Sequence, residues 1–229
     1  MRIIGLLSWY EEPASWLAEC VASAARLCDH LIAVDGPYAQ FPGALRKPAS
    51  GSEQAEVIGH AAAGAGIGVT IHTPRSPWWG NEVAKRDFMF RLASTIAEPG
   101  DWLLRIDADE VFSQVPSDTR TLLAATSLDV AEVMMWERGE EDGAYPLRVL
   151  FRALPGIGVQ QAHYVVTAPT SDGGTRVLCG NETKHRPEPA EALWDVRLEH
   201  RTRLRSAERR ALKDGYYAQL PDIERVSEL

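Results

Sequence analysis

The chain has 229 residues, with 24 lysines and arginines against 32 aspartates and glutamates, a net charge of −8, and 45% hydrophobic residues. That profile suits one globular domain of roughly 200–250 residues or two small ones, and excludes a disordered chain and a collagen-like repeat. No apolar run reaches the ~20 residues of a membrane-spanning helix, and the apolar start is too short for a signal peptide, so a cytoplasmic protein that does not span a membrane is expected.

Residues 2–9 form a short apolar run, followed by Pro13 and then apolar positions 17, 20, 21, 24, 27 and 28. This spacing predicts a strand followed by a helix, with Pro13 in the first helical turn, where its missing N–H costs nothing. Residues 30–35 predict a second strand, parallel to the first through a right-handed crossover. Ser52 is a candidate cap for a helix to about Ala63, and residues 68–72 read as a third strand. A loop with Trp78 and Trp79 follows, either a sugar-stacking platform or a packed anchor. A helix is predicted from about Glu82 to Ala97, stopped by Pro99-Gly100, and then a fourth strand over 102–106.

Past residue 112 the alternation weakens. A helix is expected at 118–126, β-like runs at 131–137, 147–153 and 163–167, and a basic amphipathic helix from Ser206 to about Leu220. The second half should therefore add mixed or antiparallel strands. Cys20, Cys28 and Cys179 are odd in number and lack a C-x-x-C spacing, which indicates neither a disulfide framework nor a thiolate zinc site. Gly156-Ile157-Gly158 lacks the third glycine and the strand-to-helix context of a dinucleotide fingerprint. Arg197 to Lys213 holds seven basic and two acidic residues, a local +5 that leaves −13 elsewhere. The acidic remainder argues against a nucleic-acid face and for a local anionic ligand such as pyrophosphate.

The most informative stretch is Trp102-Leu103-Leu104-Arg105-Ile106-Asp107-Ala108-Asp109-Glu110. It predicts a buried strand ending in three carboxylates, where open α/β sheets bind their ligands. On an extended chain Asp107 and Asp109 point to the same side, about 6.6 Å apart. Two unit charges 4 Å apart repel by about 4 kcal/mol at a dielectric of ~20, so a compensating charge is expected. Mn²⁺ or Mg²⁺, which favour carboxylate oxygens and substrate phosphates, would supply it; the alternative is a solvated acidic turn.

The segment Trp102 to Phe112, with the helix before it, resembles the nucleotide-sugar glycosyltransferases of the GT-A fold, and most of all the inverting family 2. Asp107-Ala108-Asp109 matches that family's Asp-x-Asp motif. The resemblance extends to Glu11-Glu12-Pro13, with Tyr10 in place of the usual asparagine, to Val34-Asp35-Gly36, and to Lys85-Arg86-Asp87, with Asp87 again replacing asparagine. Arg148-Val149-Leu150-Phe151-Arg152, His163, Leu198-Glu199-His200 and Lys213 with Tyr216 and Tyr217 resemble segments of the lipopolysaccharide-core glucosyltransferase-like branch.

The resemblance implies a single α/β domain, a GT-A (Rossmann-like) mixed sheet flanked by helices. Residues 1–112 would form the nucleotide-sugar-binding half and 113–229 the acceptor-side half. It implies a metal-dependent, inverting transfer of a sugar from a nucleotide-diphosphate donor, a UDP-sugar favoured, to an unknown hydroxyl acceptor. Asp107, Asp109 and His200 would hold the Mn²⁺ or Mg²⁺, Asp109 directly and Asp107 through water or at the ribose; His200 is otherwise a partly exposed histidine in a charged segment. Ser8, Glu11, Asp35, Lys85, Arg86 and Asp107 would contact the donor. A base that deprotonates the acceptor is expected among Glu137, Glu140, Glu141 and Asp142, with Asp142 and Glu141 preferred. A phosphotransferase using the same motif and a non-catalytic nucleotide- or sugar-binding protein are the alternative functions.

Overall fold

The computed structural model describes residues 1–38, 49–74, 81–138, 143–161, 165–180 and 182–219. The first strand, β1 (Ile3–Ser8), is buried along its whole length. Its alternate residues feed two separate apolar clusters, Ile3 and Leu7 one, Ile4 and Leu6 the other. A strand covered on both faces reads as an unbroken apolar run, which is why this one is visible in the sequence. Helix α1 (Ala14–Ala24) has Pro13 as its N-cap and buries Leu17, Cys20, Val21 and Ala24. Next come β2 (His30–Val34), α2 (Ser52–Gly64), β3 (Gly68–His72), α3 (Glu82–Ser94) and β4 (Trp102–Asp107). Gly51, not Ser52, occupies the N-cap of α2, and no side chain caps it. Asn81 caps α3 by accepting the amide of Ala84.

β5 (Glu110–Gln114), α4 (Thr119–Ala125), β6 (Val130–Glu137), β7 (Tyr145–Arg152), β8 (Gly158–Gln161), β9 (Val165–Pro169), β10 (Thr175–Cys179), α5 (Glu182–His185), β11 (Glu191–His200) and α6 (Ala207–Gln219) complete the order, with a 3-10 turn at Thr202–Leu204 before α6. Eight strands form one mixed sheet in the order β3-β2-β1-β4-β7-β6-β11-β5. β1 is parallel to both β2 and β4, and β2 to β3. From β7 onward the sheet turns mixed: β7 is antiparallel to β4 and β6, β11 is parallel to β6, and β5 is antiparallel to β11. β8, β9 and β10 form a second, antiparallel sheet.

Residues from α1, α2 and α4 pack with one face of the large sheet, and residues from α3 and the small sheet with the other. The molecule is thus a single α/β domain with a helix-flanked, Rossmann-like mixed sheet. Among the described residues no helix is long and apolar enough to cross a membrane.

One expectation about geometry changes here. β1 lies between β2 and β4, and Ser8 pairs with Val34 on one side and Asp107 on the other. Asp107, Ala108 and Asp109 do not run on as an extended segment, because the chain turns at 108–109 before β5 begins at Glu110. The two aspartates therefore face different partners.

Candidate functional site

The carboxyl ends of β1, β2 and β4 open onto a cleft of about 120 Å³. Ser8, Trp9, Tyr10 and Glu12 line it from β1 and the following loop, Gly36, Pro37 and Tyr38 from the end of β2, Lys85 and Arg86 from α3, and Asp107, Ala108 and Asp109 from β4. His200, Arg205, Arg209 and Lys213 close it from the chain's last third. The cleft sits where strand ends in such sheets leave a crevice for ligands.

Asp107 is held by α3. Arg86 grips it through Nη1–Oδ1 at 2.9 Å and Nη2–Oδ2 at 3.3 Å, while its Nε reaches Glu82 Oε1 at 2.7 Å. Glu82 and Arg86, readable in sequence as a surface i, i+4 pair, are both buried. Arg105 adds a second charge at 3.8 Å from Asp107 Oδ2. Burial works against ionisation of Asp107, but the two guanidinium groups override it and hold the carboxyl below its usual range. Glu110 accepts the amide of Asp107 at 2.9 Å, and burial pushes its own carboxyl up to about 7.

Asp109 faces the other way. Its Oδ2 accepts Thr202 Oγ1 at 2.7 Å and Arg205 Nη2 at 3.0 Å, and lies 3.4 Å from His200 Nε2. Its carbonyl takes the amide of Arg201 at 2.8 Å, which ties the turn to the end of β11. Despite burial, the His200 contact and the Arg205 charge hold this carboxyl well below its usual range. Burial alone would lower the pKa of His200; contact with Asp109 and Glu137 instead raises it to about 9. Arg205 also bonds Glu12 Oε2 at 2.5 Å, and Arg209 donates to the Tyr10 carbonyl at 2.9 Å. Burial raises the pKa of Glu12 in spite of Arg205.

Lys85 is buried, and its ammonium donates to the carbonyls of Trp9 and Gly36, each at 2.8 Å. It thereby braces the ends of β1 and β2, and burial brings its pKa down to about 7. Asp35 does not line the cleft: its carboxylate accepts the Gly36 amide at 2.7 Å, the Ser50 amide at 2.8 Å and the Ser50 hydroxyl at 2.6 Å. Burial raises its pKa despite these bonds. Glu11, at φ 52, gives its amide to the same Ser50 hydroxyl at 2.9 Å, so the side chain that reaches the cleft is Glu12. Asp87 turns away to the amide of Val159 at 3.2 Å.

Of the residues expected at the site, Ser8, Lys85, Arg86, Asp107, Asp109 and His200 come together around one cleft. Glu141, Asp142, Glu140, His163, Trp78 and Trp79 lie outside the described residues. Arg205 and Arg209 line the cleft although sequence reasoning did not single them out, their one signal being the basic excess of 197–213, which carries no register; Glu12 lies in the matched Glu11-Glu12-Pro13 segment, from which Glu11 was the expected contact.

Three carboxylates and five lysines and arginines line the cleft among the described residues, so an anion is favoured there even with every carboxylate ionised. No group of three or more metal-ligating side chains is present among the described residues. Asp109 and His200 nevertheless present an oxygen and a nitrogen 3.4 Å apart, with the Thr202 hydroxyl near both, at 2.7 and 3.1 Å. The second ring nitrogen of His200 is held by Glu137, the arrangement that usually orients a metal-binding imidazole. An ion held by this pair would have to displace Arg205 from Asp109 Oδ2 and a proton from His200, while Asp107 has both oxygens on Arg86.

No family model and no curated protein matches the sequence. Among solved structures, the chain is similar to one described as a glucose-1-phosphate thymidylyltransferase from Bacillus anthracis in complex with sucrose, at 10% identity and a TM-score of 0.37, over 66% of this chain and 72% of that one.

Proposed function

We propose that the cleft binds the diphosphate of a nucleotide-sugar donor, a UDP-sugar favoured, and that the protein is a GT-A-type glycosyltransferase passing the sugar, with inversion, to a hydroxyl acceptor. One observation carries this: an excess of cationic over carboxylate side chains around a small cleft at the carboxyl ends of parallel strands. Two negative charges of a diphosphate match that excess.

Asp109 and His200 would hold Mn²⁺ or Mg²⁺, with Asp107 acting through water. The ion would act as a Lewis acid toward the departing diphosphate. Arg86 keeps Asp107 ionised and fixed beside Ser8, where it would meet a ribose or an ion-bound water. Lys85 keeps the ends of β1 and β2 together at the mouth of the cleft. In the transfer, the acceptor oxygen bonds to the anomeric carbon, the carbon–oxygen bond to the diphosphate breaks, and the acceptor proton passes to a carboxylate. Asp142 or Glu141 would be that base. A phosphotransferase using Asp107 as nucleophile is less well served, since Arg86 occupies both carboxylate oxygens.

The test is release of nucleoside diphosphate from a panel of nucleotide sugars, with and without Mn²⁺, by the wild type and Asp109→Asn. Metal-stimulated turnover of one donor, lost in Asp109→Asn with the circular dichroism unchanged, is expected. Equal turnover in the variant, or no turnover of any donor, contradicts the proposal.

A further inference from the structure

Most cations around the cleft already have partners. Lys85 bonds two backbone carbonyls, Arg86 holds Glu82 and Asp107, Arg205 holds Asp109 and Glu12, and Arg209 bonds the Tyr10 carbonyl. Lys213 is different: among the described residues its ammonium has no hydrogen-bonded or ion-paired partner, though it lines the cleft and its charge acts on Asp109. Lys213 follows Arg209 by four residues on α6, so the two lie on one face of the helix.

The orientation of that helix is informative. Glu208, Ala211, Leu212 and Asp214 are exposed, whereas Arg209, Arg210 and Lys213 are half-buried. A basic amphipathic helix left to solvent would turn its charges outward, away from each other and from Arg205. This one turns Arg209 and Lys213 onto a cleft already rich in positive charge. Glu12 and Asp109 offset part of this charge, and the positive excess that is left favours an anion in the space between the two side chains.

We propose that Lys213, seconded by Arg209, is the phosphate grip of this cleft: its ammonium takes the distal phosphate of a diphosphate group, and this contact needs no divalent ion. The inference rests on the diphosphate reading above and adds to it a residue and a metal-free binding step. A charge-assisted hydrogen bond from an ammonium to a phosphate oxygen has the strength to account for about a tenfold change in affinity.

The experiment is isothermal titration of the full chain with inorganic pyrophosphate, UDP and uridine, in EDTA and then in Mn²⁺, for the wild type, Lys213→Ala and Lys213→Arg. All three proteins are first checked for equal thermal unfolding. The wild type is expected to bind pyrophosphate and UDP in EDTA. Lys213→Ala is expected to bind both about tenfold more weakly with uridine binding unchanged, and Lys213→Arg to restore most of the loss. Pyrophosphate binding as tight in Lys213→Ala as in the wild type overturns the role of Lys213 and leaves the diphosphate reading standing. Wild-type binding that requires Mn²⁺ overturns the metal-free step. No binding of pyrophosphate or UDP under either condition overturns the diphosphate reading itself.

Discussion

Glu137 and His200 stand opposite each other in the parallel ladder of β6 and β11, and the Glu137 carboxylate accepts the Nδ1–H of the His200 ring. Nε2 is thereby turned toward Asp109 and Thr202. Among the described residues the other, buried oxygen of Glu137 has no hydrogen-bond partner, so the carboxylate has little else there to hold. Glu137→Leu should therefore weaken Mn²⁺ binding about 10- to 100-fold, and Glu137→Gln, which keeps an acceptor oxygen, should recover part of it. Manganese titration followed by electron paramagnetic resonance checks this. Equal affinity in all three proteins would remove Glu137 from the account.

Arg86 joins Glu82 on its own helix to Asp107 on β4, with only 8% of its side chain exposed. Removing it leaves two carboxylates close together without their main counter-charge. Arg86→Ala should cost about 3–5 kcal/mol in urea unfolding, and Arg86→Lys should recover only part, because an ammonium cannot reproduce the forked contact. A loss in Arg86→Ala within 1 kcal/mol would show that Asp107 does not depend on it.

Lys85 gives the protein a specific pH dependence. Burial depresses its pKa from 10.5 to about 7, so between those values the unfolded chain binds more protons than the folded one and stability rises with pH. A neutral amine still has two N–H groups for the carbonyls of Trp9 and Gly36. Relative to Lys85→Met, the wild type should gain stability as pH climbs from about 7 to 9, by up to about 1.4 kcal/mol per unit. Parallel pH profiles of the two proteins would contradict this.

Gly5 sits mid-strand in β1, where a Cβ would come within 2.8 Å of Leu31 Cδ1 and 2.9 Å of Cys28 Sγ. Both neighbours are buried. Gly5→Ala should cost about 1–3 kcal/mol by denaturant unfolding, as overpacked cores do. A neutral result would mean that the side chains of Leu31 and Cys28 can shift to admit the methyl group.

The first half of the fold was legible because β1, β2 and β4 are buried on both faces and its helices keep an apolar stripe between clear stops. β11 was not. Its Leu193, Val196 and Leu198 point inward but do not keep a two-residue period, because the register shifts between Leu193 and Arg197. Its exposed Trp194 and charged residues further hide the strand. β5 was missed because Glu110, its first residue, reads as the tail of an acidic motif. At the site, the strand-end carboxylates were visible, but their partners were not: Arg205 meets Glu12 across 193 positions, and no local pattern records such a pairing. The expected charge compensation is present in the form of Arg86, Arg105, Arg205 and His200, and an ion at Asp109 and His200 would add to it.

The most direct measurement is a crystal structure of the protein with a UDP-sugar and Mn²⁺. The account predicts a diphosphate lying between α6 and the ends of β1 and β4, within hydrogen-bonding distance of Lys213, and an ion touching both Asp109 and His200. A nucleotide bound elsewhere, or a cleft still bridged by Arg205 with neither diphosphate nor ion in it, would contradict it.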